Sequence, residues 1–172
     1  MEAPAIGKIR DIWLISDTHF FHNNIIKYCD RPFHDIYEMN EYMVEKWNSV
    51  VKPGDKVYHL GDVYMGATEE QFKSFWPRLN GRKRLIVGNH DDIKFLSKGN
   101  FFEKIMMWRV FRDHNLLLTH VPIHESSIHE RMVINGGKNV HGHTHDGGSP
   151  KGPYKSVCVE LINYTPIHIE EV

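Results

Sequence analysis

Five short groups of residues in this chain have the types and spacing for metal and phosphate chemistry. They are Asp17-x-His19, Gly61-Asp62, Gly88-Asn89-His90-Asp91, His120 and Gly142-His143-x-His145. All but the last follow directly on an apolar, strand-like run. If those strands share one sheet, their loops meet at one edge, where open α/β sheets bind ligands. Two carboxylates, one amide and four imidazoles would converge there. Such a donor set serves two divalent ions. Without thiolates it suits Mn, Fe, Co, Ni, Zn or Mg better than copper(I) or an iron–sulfur cluster, and Mn is the activating ion we expect. Asp62 is the candidate bridge, since a carboxylate has two oxygens. His90, beside Asn89 on a tight turn, has no evident packing role.

Asp17 and His19 are two apart, and on an extended chain such side chains point the same way. The same reasoning applies to the alternating His141, His143 and His145. His143 and His145 are the better ligand pair, and His141 is placed to support them. Two cations about 3.5–4 Å apart can clamp the attacking and leaving oxygens of an in-line displacement. They also lower the pKa of a bridging water, so that hydroxide forms near neutral pH. Two ionised aspartates, two divalent ions and one hydroxide leave the site net positive. It would attract phosphate although the chain carries a net charge of −1.

The elements that must position these groups fit one domain of 172 residues. A content of 41% hydrophobic and 25% charged residues is that of a globular protein. The near-neutral balance does not call for nucleic acid or a membrane surface, and no apolar run reaches membrane length. Residues 1–10 lack the apolar core of a signal peptide. The two cysteines, Cys29 and Cys158, are far apart, which suits no disulfide framework and fits a cytoplasmic, reducing setting. Thirteen histidines are more than packing needs and argue for a site.

Residues 1–7 read as a loose tail. Strands are expected over residues 9–16, 56–60, 85–87 and 116–119. Residues 101–112 lean towards strand, and two strands should close the chain at residues 156–162 and 166–170. Asn24 is the expected cap of a short helix over residues 25–29. Asp35 should cap a longer helix to about Val51, with Met39, Met43 and Trp47 on its core-facing stripe. Thr68-x-x-Gln71 is a capping box. Strand and helix alternate as in a layered α/β domain. His22 and Asn23 lie in the loop after the first motif, where they either touch a substrate phosphate or are ordinary polar loop residues. Arg78, Arg82, Lys83 and Arg84 form a basic cluster around a turn, which is either a phosphate-rich partner's contact or a solvated face.

With its five motifs in this order, the chain resembles the calcineurin-like metallophosphoesterase family over about residues 9–170, and within it the short single-domain bacterial and phage type. The resemblance implies two packed mixed β-sheets flanked by helices, a four-layer sandwich. It implies that Asp17, His19, Asp62 and His145 hold one ion, and that Asp62, Asn89, His120 and His143 hold the other. His90 would meet the scissile phosphate and Asp91 would support it. Some small diesterase relatives carry cysteine where this chain has His90, so monoester activity stays open.

Two rival readings fit the sequence less well. A metallo-β-lactamase-like site wants His-x-His-x-Asp-His, but here the residue two past His143 is His145, and two motifs would go unexplained. A degenerate family member serving as a scaffold would typically lack ligands, and none is missing. The expected function is therefore a dinuclear phosphoesterase attacking phosphodiester bonds of nucleotide-like substrates with a metal-bridging hydroxide. The alternatives are a phosphomonoesterase or nucleotidase, or a nuclease, on the same site. Fold and ligands do not choose among these.

Overall fold

The computed structural model describes residues 10–172. The expected tail at residues 1–7 lies outside them, as does the beginning of the first expected strand. Among the described residues the chain runs β1 (Ile12–Ile15), α1 (Asn23–Tyr28), α2 (Ile36–Val50), β2 (Lys56–His59), α3 (Glu69–Phe75), β3 (Arg82–Ile86), α4 (Ile93–Leu96), β4 (Lys104–Met106), β5 (Trp108–Phe111), β6 (Leu116–Thr119), α5 (Glu130–Ile134), β7 (Lys138–His141), β8 (Tyr154–Ser156) and β9 (Ile167–His168). Two mixed sheets result, in strand order β4-β3-β2-β1-β9 and β5-β6-β7-β8. Strands β1 to β4 are parallel and β9 is antiparallel. In the second sheet β6, β7 and β8 are parallel, with β5 antiparallel at the edge.

Two apolar clusters hold these layers together. Leu14, Tyr58, Leu60, Ile86, Leu118 and Val140 fill the space between the sheets. Ile15, Val57 and Leu85 face the other way, against Met39, Met43, Trp47, Phe72 and Trp76 of the helical layer. Alternation along each strand sends neighbouring residues to opposite clusters. Helix α2 starts where Asp35 accepts hydrogen bonds from the Tyr37 and Glu38 amides, and α3 starts with the reciprocal Thr68–Gln71 capping box. Trp47 is buried and donates to the Asn80 carbonyl, as a core residue does.

Several expectations need correction. Residues 101–112 are not one strand: β4 joins β3 in the first sheet, while β5 pairs with β6 in the second. Met107 sits at the crossover, which alternation alone cannot reveal. Of residues 156–162 only Ser156 is in a strand, and Val159–Leu161 is a 3₁₀ turn. Val157 and Val159 are fully buried. Helix α1 begins at Asn23, after His22, and no side chain caps it. The basic cluster is spent within the protein. Arg78 pairs with Glu41 through both carboxylate oxygens. Arg82 and Arg84 pair with Glu103. Lys83 lies over the Trp76 ring, 5.3 Å from its centroid.

Candidate metal centre

The parallel strands of both sheets point their carboxyl ends to one edge. Backbone hydrogen bonds stitch the following loops together: Asp17 N–H to Gly61 O, His19 N–H to Asp62 O, and Gly142 N–H to His120 O. The packing is close. A Cβ on Gly61 would lie 2.6 Å from the Gly88 Cα and from His120 Nδ1, and one on Gly142 would lie 2.3 Å from Asp17 Oδ2. These glycines make room for neighbouring loops.

The expected extended geometry is absent. Asp17, His19, Asp62, His143 and His145 all have left-handed backbones, with φ of 56°, 47°, 57°, 71° and 47°. A non-glycine residue in this region is uncommon, and strain of this kind concentrates at functional sites. Asp17 and His19 therefore converge through a coiled turn, whereas His143 and His145 part, one towards Asp62 and His120 and the other towards Asp17 and His19.

The turns gather two sets of donors. Asp17, His19 and His145 offer atoms within 4.8 Å of one another, and so do Asp62, His120 and His143. Asp62 Oδ2 lies 3.6 Å from His19 Nε2 and 3.5 Å from His120 Nε2, between the sets. Asn89 Oδ1 joins the second set, 2.9 Å from His120 Nε2 and 3.0 Å from His143 Nδ1. His145 Nε2 and His19 Nε2 stand 3.7 and 4.0 Å from Asp17 Oδ1. Atoms about 2.0–2.2 Å from a shared ion stand roughly 3–4 Å apart, so these separations fit ligation. Asp17 Oδ1 and His19 Nε2 are buried without a hydrogen-bond partner. Buried polar atoms rarely stay unpaired, and a cation would satisfy both.

Burial, outweighing nearby histidines and hydrogen bonds, pushes the Asp17 carboxyl above its usual range. Burial, with Arg31 and neighbouring histidines, pulls His19 down to about 2, so its ring is neutral. Burial pulls against the His145 imidazolium too, but Glu160 and Asp17 outweigh it and hold its pKa above the ordinary value.

His22 packs against the His19 ring, its Nδ1 3.3 Å from His19 Nδ1. Asn23 is exposed. His90 is exposed, its ring centroid 5.7 Å from that of His19, and its backbone N–H donates to Asp62 Oδ1 at 2.9 Å. Asp91 accepts from the Gly88 and Asp62 amides at Oδ2 and from the Val63 amide at Oδ1. Its carboxylate thus clamps the Asp62 loop to the Gly88 loop. His141 does not support a neighbouring imidazole: it bonds the Gly142 carbonyl and the Ser149 hydroxyl.

Several contributing residues were not legible in the sequence. Glu160 Oε1 lies 2.9 Å from His145 Nδ1 and accepts from Arg31 Nη2 at 2.7 Å. Arg31 is buried and also donates to the Asp17 and Thr18 carbonyls. The Cys158 thiol donates to Asp17 Oδ2. His59 is fully buried, bonded to Thr18 Oγ1 at 2.9 Å and to the Gly61 N–H at 3.2 Å. No local spacing marks any of them. Only the alternation of apolar and polar residues around 156–162 hinted at Glu160, and it pointed to a strand. Cys29, His145 and Glu160 form another group of potential ligands. Burial and Glu160 hold the Cys29 thiol up at about 11, and Glu160 is engaged by Arg31 and His145. Both cysteines are free.

The family model for the calcineurin-like phosphoesterase superfamily domain matches residues 11–152. An uncharacterized protein of Methanocaldococcus jannaschii, MJ1445, is 37% identical over 171 residues, spanning 94% of this chain and 89% of that protein. The Gene 66 protein of Mycobacterium phage L5 is 29% identical over 160 residues, spanning 77% of this chain and 76% of that one. The crystal structure of AQ665 from Aquifex aeolicus, a protein of unknown function, superposes with a TM-score of 0.72 at 28% identity, covering 94% of this chain and 97% of the other. Family model, relatives and fold agree, and the chain belongs to the calcineurin-like phosphoesterase superfamily.

Proposed function

We propose that the protein is a dinuclear metal-dependent phosphodiesterase acting on nucleotide-like substrates. The observation that carries this reading is Asp62 Oδ2, set between His19 and His120 at 3.6 and 3.5 Å, with Asp17 Oδ1 and His19 Nε2 unpaired beside it. Asp17, His19, Asp62 and His145 would hold one ion, and Asp62, Asn89, His120 and His143 the other, with Mn as the activating metal. When bound, the ions supply Lewis-acid polarisation of the phosphate and a water of lowered pKa.

The protein's own groups orient the rest. Asp91 fixes the loops of Asp62 and Asn89 through three backbone amides. Glu160 and His22 orient the His145 and His19 rings. His90 is exposed at the rim, where its imidazole can donate a proton to the leaving oxygen. A substrate screen with Mn tests the assignment, using monoesters, diesters, cyclic nucleotides and oligonucleotides. Turnover of diesters above monoesters is the expected result. Monoester preference would move the assignment to a phosphatase, and hydrolysis of none would remove it.

A further inference from the structure

The second sheet is thinly covered on its outer face. Registered cross-strand pairs set Trp108 beside Thr119 and Val110 beside Leu117, on the face opposite the inter-sheet cluster of Leu116 and Leu118. The five-residue helix α5 spans only part of this face. A groove of about 1170 Å³ remains between α5 and the sheet. One end is lined by Asn89 and His120, which belong to the metal-ligating constellation. The floor is apolar, and its lip carries Met107 and Trp108, 67% and 61% exposed. Exposed apolar surface gathered in one place marks interaction sites.

The charged residues of the lining are all of one sign. Arg112 and Arg131 line it, and no aspartate or glutamate does. Among the described residues, Arg31, Arg78, Arg82 and Arg84 meet carboxylates, whereas Arg112 and Arg131 form no ion pair. The chain as a whole is slightly acidic, at −1. This local excess of positive charge over an apolar floor is complementary to an anion with a flat apolar body.

We propose that this groove binds the organic part of the substrate: an aromatic group that stacks at Trp108 and carries a second anionic group recognised by Arg112 and Arg131. A nucleoside bearing phosphates at both ends has that chemistry. The proposal rests on the metal site described above, because a phosphate held there would direct its ester group past Asn89 and His120 into the groove.

Calorimetry on the full-length, Mn-loaded protein tests it with three probes: inorganic phosphate, thymidine 5′-monophosphate and thymidine 3′,5′-bisphosphate. Affinity should rise in that order. Base stacking on an aromatic side chain corresponds to roughly 5- to 150-fold, so Trp108→Ala should bring the monophosphate down towards inorganic phosphate. Arg112→Gln with Arg131→Gln should erase the advantage of the bisphosphate. Equal affinities for all three probes in the wild type would overturn the groove while leaving the metal site standing. A dimer that dissociates on Trp108→Ala would also overturn it, by assigning the face to a second copy. Failure to bind Mn or inorganic phosphate would remove the metal site and the groove with it.

Discussion

Glu160 Oε1 stands 2.9 Å from His145 Nδ1, and the same oxygen accepts from the buried Arg31 guanidinium at 2.7 Å. An ionised Glu160 accepts both protons. Burial works against that charge, but His145 and Arg31 outweigh it and hold the carboxyl below its usual range. In the neutral His145 ring the bond to Glu160 keeps the proton on Nδ1, which leaves Nε2 free to ligate on the side of Asp17. Partners of this kind typically set ligand affinity by 10–100-fold. Glu160→Gln keeps the shape and removes the charge. We expect the weaker of two Mn binding steps to fall by roughly tenfold or more, read by calorimetry, with far-ultraviolet circular dichroism unchanged. Unaltered Mn affinity would reduce Glu160 to a structural role.

Asp62→Asn should lower metal content and diesterase activity together. Its Oδ2 lies between the two donor sets, while Oδ1 accepts the His90 amide. An amide can still occupy the space, but it has one oxygen and no charge. Two ions bound with full activity would contradict the bridge.

His90→Ala should keep the fold and both ions, because the side chain is exposed and outside both donor sets. General-acid assistance is worth about 10²–10⁴-fold and matters most for poor leaving groups. Turnover should fall steeply for a ribose or alkyl leaving group and far less for p-nitrophenolate. Equal losses would point to charge stabilisation instead, and a lost ion would make His90 a ligand.

His59 links acid stability to one buried ring. Its Nδ1 accepts the Gly61 amide and its Nε2 donates to Thr18, whose hydroxyl donates onward to the Val63 carbonyl. A proton on Nδ1 would face the Gly61 N–H. Burial, then the nearby His120, pulls the folded pKa from 6.5 to about 3. Between those values the unfolded chain binds one more proton than the folded one, so stability rises with pH across this window. The contribution is complete above pH 6.5 and is lost as pH falls towards 3. His59→Gln should remove about one proton from the pH slope of chemical denaturation. An unchanged slope would show that His59 is protonated in the folded protein.

Much of the fold was legible because periodicity carries it. The apolar runs before Asp17, Asp62 and Asn89, the stripe of α2 and the Thr68 capping box reported local rules, and the structure follows them. Residues 101–112 hid their change of sheet, because side-chain alternation continues whichever neighbour a strand pairs with. The candidate site residues stood out by their types and their position after strands, but the extended geometry expected for Asp17 with His19 and for His143 with His145 is absent. Asp17, His19, Asp62, His143 and His145 adopt left-handed turns that no spacing signals. Arg31, His59 and Glu160 were invisible for a related reason: the contacts that give them their roles span up to 129 positions of sequence.

The central claim is that two ions bind at the shared carboxylate and that phosphodiester hydrolysis needs both. The direct measurement titrates metal-free protein with Mn, following bound metal by mass spectrometry and hydrolysis of bis(p-nitrophenyl) phosphate in the same samples. The account predicts two ions per chain at saturation, with activity appearing as the second one binds. Full activity with one ion, or two bound ions with no diesterase activity, would contradict it.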